Sequence, residues 1–144
     1  MKKLDIYIDG ASKGNPGPSG IGVIICENGE VLKNIANFIG SATNNIAEYT
    51  ALIQALQAAL ILKAASININ SDSQLLCRQL NKEYKVKNSN IVNLYNQAVH
   101  LMTGFEKVHV KHIPREQNSG ADKLATKAIK EALKNNRSFR LQDR

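Results

Sequence analysis

Ile21-Gly22-Val23-Ile24-Ile25-Cys26-Glu27-Asn28-Gly29-Glu30-Val31 reads as two strands joined by a tight turn. Asn-Gly between apolar runs is the strongest short hairpin signal, because both residues tolerate the positive φ that such a turn requires. The second strand of the pair extends from Val31 to Ile39. Upstream, Leu4-Asp5-Ile6-Tyr7-Ile8 is a further strand, and Asp9 ends it. The stretch Gly10–Gly20 that follows is so dense in Gly and Pro that it is expected to be loop. The chain therefore opens with three consecutive strands in antiparallel order.

Downstream, Ser41-Ala42-Thr43-Asn44-Asn45 caps a helix to about Lys63, whose Leu52, Ala55, Leu56, Ala59 and Leu60 keep helical spacing. Glu48 lies four residues before Leu52 and so shares its buried stripe. A fourth strand (67–71) ends at Asp72, and Ser73-Gln74 opens a short helix to Leu80. A basic linker, 81–89, leads to a helix carrying Ile91, Leu94, Tyr95, Ala98, Leu101 and Met102 on one face. Lys107–Ile113 is a fifth strand, Arg115–Gly120 a loop, and the last helix holds Asp122 in its first turn. The order β-β-β-α-β-α-α-β-α predicts an α/β fold: a mixed five-stranded sheet, three antiparallel strands then alternating α/β, with helices packed on it. One domain is expected over 1–134, with 135–144 a flexible basic tail.

Of the net charge of +7, residues 1–72 contribute five Lys/Arg against six Asp/Glu, and residues 73–144 fourteen against six. A basic half beside an acidic site suits a polyanion lying across the molecule. Cys26 and Cys77 lack metal-type spacing and sit in apolar runs, as two buried reduced thiols would. No 18-residue apolar run exists, and an acid stands at Asp5 where a signal peptide is apolar. A soluble cytoplasmic protein without membrane contact is expected, acting as a monomer.

Asp9, Glu48, Asp72 and Asp122 are the candidate chemistry. Asp9 and Asp72 leave neighbouring strands, while Glu48 and Asp122 come in from helices, all toward one point. Carboxylates gathered from distant segments repel and resist desolvation unless positive charge sits between them. Hard oxygen ligands call for Mg²⁺ or Mn²⁺, and such a metal site suits phosphate chemistry. Separate salt bridges are the bland alternative for the four acids. For the polar residues, Asn15 also suits a tight turn, Thr43-Asn44-Asn45 a helix cap, and Gln74 a first-turn position; His100 and His109 have no partner at metal spacing.

Four segments carry a resemblance: Ile8-Asp9-Gly10 with Gly14-Asn15-Pro16-Gly17; Thr43-Asn44-Asn45-Ile46-Ala47-Glu48; Ser71-Asp72-Ser73-Gln74; and Asn118-Ser119-Gly120-Ala121-Asp122-Lys123-Leu124-Ala125. In this order, over about 4–134, the chain resembles the type 1 ribonuclease H family. The resemblance implies that Asp9, Glu48, Asp72 and Asp122 hold two Mg²⁺ ions, with Mn²⁺ able to substitute. One ion would activate the attacking water and the other stabilise the leaving 3′ oxygen. The implied activity is hydrolysis of the RNA strand of an RNA–DNA hybrid duplex to 5′-phosphate and 3′-hydroxyl products. The resemblance also implies that Gly10, Asn15, Asn44, Asn45 and Gln74 contact substrate in a shallow groove. Asn15 and Thr43 would hold a phosphate of the DNA strand.

Two features depart from the family pattern. Many members insert a basic helix where this chain has only Asn81–Ser89, so grip on substrate would rest on other lysines such as Lys82, Lys85 and Lys87. Members often carry a histidine in the loop before the last aspartate. Here His112 has the spacing but ends a strand, and Arg115 is the other candidate. A guanidinium can hold phosphate but cannot shuttle protons near neutral pH, whereas imidazole can. The alternatives to hybrid cleavage are cleavage of double-stranded RNA or of RNA–DNA junctions, and a non-catalytic hybrid-binding module.

Overall fold

The computed structural model describes residues 1–142, with side chains described through Asn135. Strands β1 (Lys3–Ser12), β2 (Gly17–Glu27) and β3 (Glu30–Ala42) precede helix α1 (Asn44–Ile61). Then come β4 (Ser66–Ser71), α2 (Gln74–Leu80), α3 (Ser89–Met102), β5 (Lys107–His112), a 3₁₀ turn (Arg115–Asn118) and α4 (Ser119–Gln142). The five-stranded sheet has the order β3-β2-β1-β4-β5. β1–β2 and β2–β3 pair antiparallel, whereas β1–β4 and β4–β5 pair parallel. This is the mixed sheet expected from the element order.

Three boundaries differ from expectation. Gly10–Gly20 is not all loop: β1 runs on to Ser12 and β2 begins at Gly17, with Ser12 opposite Ser19. The ladder hydrogen bonds of a central strand outweigh the weak local propensity of Gly and Pro there. Arg115–Asn118 is a 3₁₀ turn rather than open loop. The last helix continues to Gln142 through most of the segment expected as a tail, while Asp143 and Arg144 lie outside the described residues. The hairpin forms as anticipated, with positive φ at both Asn28 (51°) and Gly29 (81°).

Helices cover the two faces unequally. Even-numbered Leu4, Ile6 and Ile8 of β1 and odd-numbered Ile21, Val23 and Ile25 of β2 are fully buried, sharing one face through the Ile8–Val23 register. α1 packs on that face through Leu52, Ala55, Leu56 and Ala59, and α3 packs against α1. α4 lies on the opposite face, across β2, β1 and β3. Its inward Ala121, Ala125, Ala128 and Ile129 are buried, as their spacing predicts. Small side chains let helix and sheet approach closely, so Gly22 lies directly under the carbonyl of Ala121. Cys77 is buried and Cys26 only half-buried, and both are free thiols. Cys26 faces the side of β2 where Ile24 is also only partly covered.

Candidate metal centre

Asp9 sits in β1 and Asp72 one residue beyond β4, at the same end of two parallel neighbours. The register pairs Tyr7 with Asn70, and each acid lies two residues further on, so both carboxylates belong to one face. The carboxyl ends of adjacent parallel strands are where an open α/β sheet leaves a crevice. Asp9 is 5% exposed, so it enters this crevice largely desolvated.

Two glycines bring the helices to the crevice. A Cβ on Gly10 would overlap the Ala47 carbonyl carbon and the Glu48 nitrogen, so only hydrogen allows α1 so near β1. In return the Gly10 N–H donates to Glu48 Oε2 at 3.2 Å. Gly22, opposite Asp9 in the ladder, would collide through a Cβ with Ala121 O. The next residue on α4 is Asp122, which is thereby set over Asp9.

One potential ligand oxygen from each of Asp9, Glu48 and Asp72 lies within 4.8 Å of the others. Asp122 is not in that tight group, but it lines the same cavity of about 390 Å³ with all three. Ser12, Asn44 and Arg115 complete much of the wall. Burial, then the Asp72 charge, pushes the Asp9 carboxyl up to about 8, with Asp122 adding to the rise and Arg115 opposing it. Burial, then Asp9 and Asp72, likewise holds the Glu48 carboxyl well above its ordinary range, against the pull of the Gly10 N–H. The centre is electrostatically frustrated by its own composition. All-oxygen anionic donors at this spacing fit a hard divalent cation, which would relieve that frustration.

The polar candidates distribute unevenly. Thr43 caps α1, its hydroxyl accepting from the Ile46 N–H at 3.2 Å. Asn15 Oδ1 accepts from the Asn44 N–H at 3.0 Å, tying the β1–β2 turn to the start of α1. Asn44 reaches the cavity wall, while Asn45 and Gln74 are exposed at the first turns of α1 and α2. Arg115 lines the cavity, whereas His112 sits to the side, its Nε2 3.3 Å from the backbone oxygen of Asp72. The sequence alone assigns Asn118 no role. It is 1% exposed, and its Nδ2 donates to Ile8 O at 2.8 Å and to Asp72 Oδ2 at 3.4 Å. An amide next to a candidate acidic segment is a faint signal without knowledge of the turn that inverts it.

The Reverse transcriptase-like family matches residues 7–128. A Ribonuclease H of Chlorobium phaeobacteroides is 33% identical over 90% of this chain and 97% of its own. The chain belongs to the ribonuclease H family. Ribonuclease HI of Halobacterium salinarum is 39% identical over 90% of this chain and 66% of its own. The crystal structure of RNase H1 from that archaeon superposes with a TM-score of 0.87 at 38% identity, covering 90% and 98% of the two chains. LC11-RNase H1, solved in complex with an RNA/DNA hybrid, has the same TM-score of 0.87 at 38% identity over 90% and 99%. The chain spans 35% of a bifunctional protein of Mycobacterium tuberculosis, to which it is 39% identical. Within that family the chain is of the variety without a basic protrusion: residues 81–88 join α2 to α3 with no helix. No helix among the described residues is long and apolar enough to cross a membrane.

Proposed function

We propose that this protein is a metal-dependent endoribonuclease that hydrolyses the RNA strand of RNA–DNA hybrids, leaving 5′-phosphate and 3′-hydroxyl ends. The observation that carries this reading is the convergence of Asp9, Glu48 and Asp72 within 4.8 Å, in a cavity shared with Asp122 and Arg115. LC11-RNase H1, similar over nearly its whole length, is bound to such a hybrid. Residues 1–134 are the catalytic unit, and all the acids come from one chain, which supports action as a monomer.

Asp9, Glu48, Asp72 and Asp122 would hold two Mg²⁺ ions, with Mn²⁺ as a substitute of the same ligand preference. Bound there, the ions supply activation of water and neutralisation of the charge that builds on the scissile phosphate. The chain's own groups do the rest. The Gly10 N–H orients one Glu48 oxygen, leaving the other free to face the cavity. Asn118 does the same for Asp72. Gly10 and Asn44 line the cavity, and Asn45 and Gln74, exposed at the first turns of α1 and α2, would extend it as a shallow groove where amides and backbone can meet 2′-hydroxyls without reading sequence. Asn15 and Thr43 hold a DNA-strand phosphate at the start of α1. Arg115 holds a substrate oxyanion on the Asp9 side, since a guanidinium stays charged throughout the working pH range. His112 is left to carry protons at the rim.

Labelled RNA–DNA, RNA–RNA, DNA–DNA and junction-containing duplexes, incubated with Mg²⁺, Mn²⁺ or EDTA, test the proposal. Metal-dependent fragments of the hybrid's RNA strand, bearing 5′-phosphates, are expected. Binding of hybrid with no cutting would reduce the protein to a binding module. Cutting of RNA–RNA at the rate of the hybrid would make double-stranded RNA the substrate class instead.

A further inference from the structure

Away from the carboxylates, Lys13, Lys130 and Lys134 line a cavity of about 230 Å³ together with Leu133. Lys13 belongs to the β1–β2 turn and the other two lysines to α4, so the cluster is made by tertiary packing. Ser12 and Ser19 pair at the base of the turn, and α4 lies close above Gly20, which sets Lys13 toward the helix. Three like-charged lysines on one hollow repel, and Lys130 and Lys134 are already an unfavourable i, i+4 pair. No carboxylate lines the cavity among the described residues. Nearby Glu131 is directed to Lys127 instead, at 3.9 Å. Cations held together without an acid suit a multivalent anion that the chain does not itself supply.

The position of the cluster says which anion. Ser12 lines the carboxylate cavity and Lys13 the cationic one, so adjacent residues open onto both. Two residues further, Asn15 is bonded to the N-terminus of α1. The turn that carries Lys13 thus adjoins both cavities, so a duplex longer than the carboxylate cavity would have the lysines beside it. We propose that Lys13, Lys130 and Lys134 form a second phosphate-backbone site, which grips hybrid duplex outside the segment being cut. It rests on the hybrid-cleaving reading above. The site adds, from the α4 side, to whatever grip Lys82, Lys85 and Lys87 give between α2 and α3, where no basic protrusion stands.

The test is binding of fluorescent hybrid by anisotropy in Ca²⁺, at several salt concentrations. It compares wild type with the triple variant Lys13→Gln/Lys130→Gln/Lys134→Gln and with a control, Lys33→Gln/Lys63→Gln/Lys107→Gln, that removes equal charge from remote exposed positions. On a long hybrid the first variant is expected to bind about tenfold more weakly, with a plot of log affinity against log salt shallower by about two to three. On a hybrid too short to leave the carboxylate cavity, the two proteins should bind alike. Equal weakening by the control variant, or an unchanged slope in the first, overturns the site. If the triple variant does not fold, as judged by circular dichroism, the single changes Lys13→Gln and Lys130→Gln must each lower the slope by about one, and unchanged slopes overturn it equally. Wild type that binds and cuts hybrid while the variant shows no deficit refutes this site alone. Wild type that binds no hybrid refutes the site and the proposed function together.

Discussion

The Gly10 N–H points at Glu48 Oε2 from 3.2 Å, and the same glycine has no room for a Cβ beneath α1. One backbone position therefore sets both the height of α1 over the sheet and the orientation of a candidate ligand. Gly10→Ala forces helix and strand apart, because backbone rather than a flexible side chain fills the space. We expect a loss of about 2–4 kcal/mol in urea unfolding, the range of severe overpacking. The surviving folded protein should bind Mn²⁺ more weakly in calorimetry. A Gly10→Ala protein of wild-type stability would show that the close approach is dispensable.

Asp9→Asn and Asp72→Asn should each reduce hybrid cleavage to background while hybrid is still bound. Both changes remove an anionic donor and keep the shape. Near-normal cutting in Mg²⁺ by either variant would remove the carboxylate cluster from the mechanism.

Asp9 also predicts a pH effect on the metal-free protein. Its carboxyl is pushed to about 8, above the unfolded value near 4, so the folded state binds that proton more tightly. The preference stabilises the fold below about pH 4 relative to higher pH, and it is lost as pH climbs toward 8. Above that, the ionised and desolvated Asp9 is a net cost. Asp9→Asn should therefore be more stable than wild type in EDTA, by an amount growing between about pH 4 and 8 to roughly a few kcal/mol. Mg²⁺ should erase much of the difference. Thermal melts across pH, with and without metal, would read this directly; parallel curves would mean that the acid is not strained.

Asn118 ties the 3₁₀ turn to Ile8 O and to Asp72 Oδ2. Asn118→Ala leaves that buried carbonyl without its side-chain donor and releases Asp72, costing about 1–3 kcal/mol. Asn118→Asp keeps the volume but sets a carboxylate against Asp72, so it should be the worse of the two in kcat. Activity equal to wild type in both variants would leave Asn118 a simple packing residue.

Arg115 and His112 separate by position, the first lining the cavity and the second beside the Asp72 backbone. Arg115→Ala should raise KM for hybrid, and Arg115→Lys should restore it only partly because a point charge lacks the guanidinium fork. His112→Ala should lower kcat with little change in KM. Interchanged effects would assign the roles the other way.

Much of this was legible along the chain. Helix periodicity, the Asn28-Gly29 turn and four isolated acids at element ends are local signals, written in residue order and side-chain chemistry. Sequence by itself determined the element order, the mixed sheet and the acidic positions. Tertiary structure alone decided that Gly10 and Gly22 admit two helices, that Asn118 turns back on Asp72, that Asp122 stands outside the tightest group, and that Lys13 meets α4. It also carried β1 and β2 through a Gly- and Pro-rich stretch that local propensity assigned to loop. Propensity acts over a few neighbours, whereas contacts between residues distant in the chain depend on how closely whole elements pack, and no local pattern records that distance.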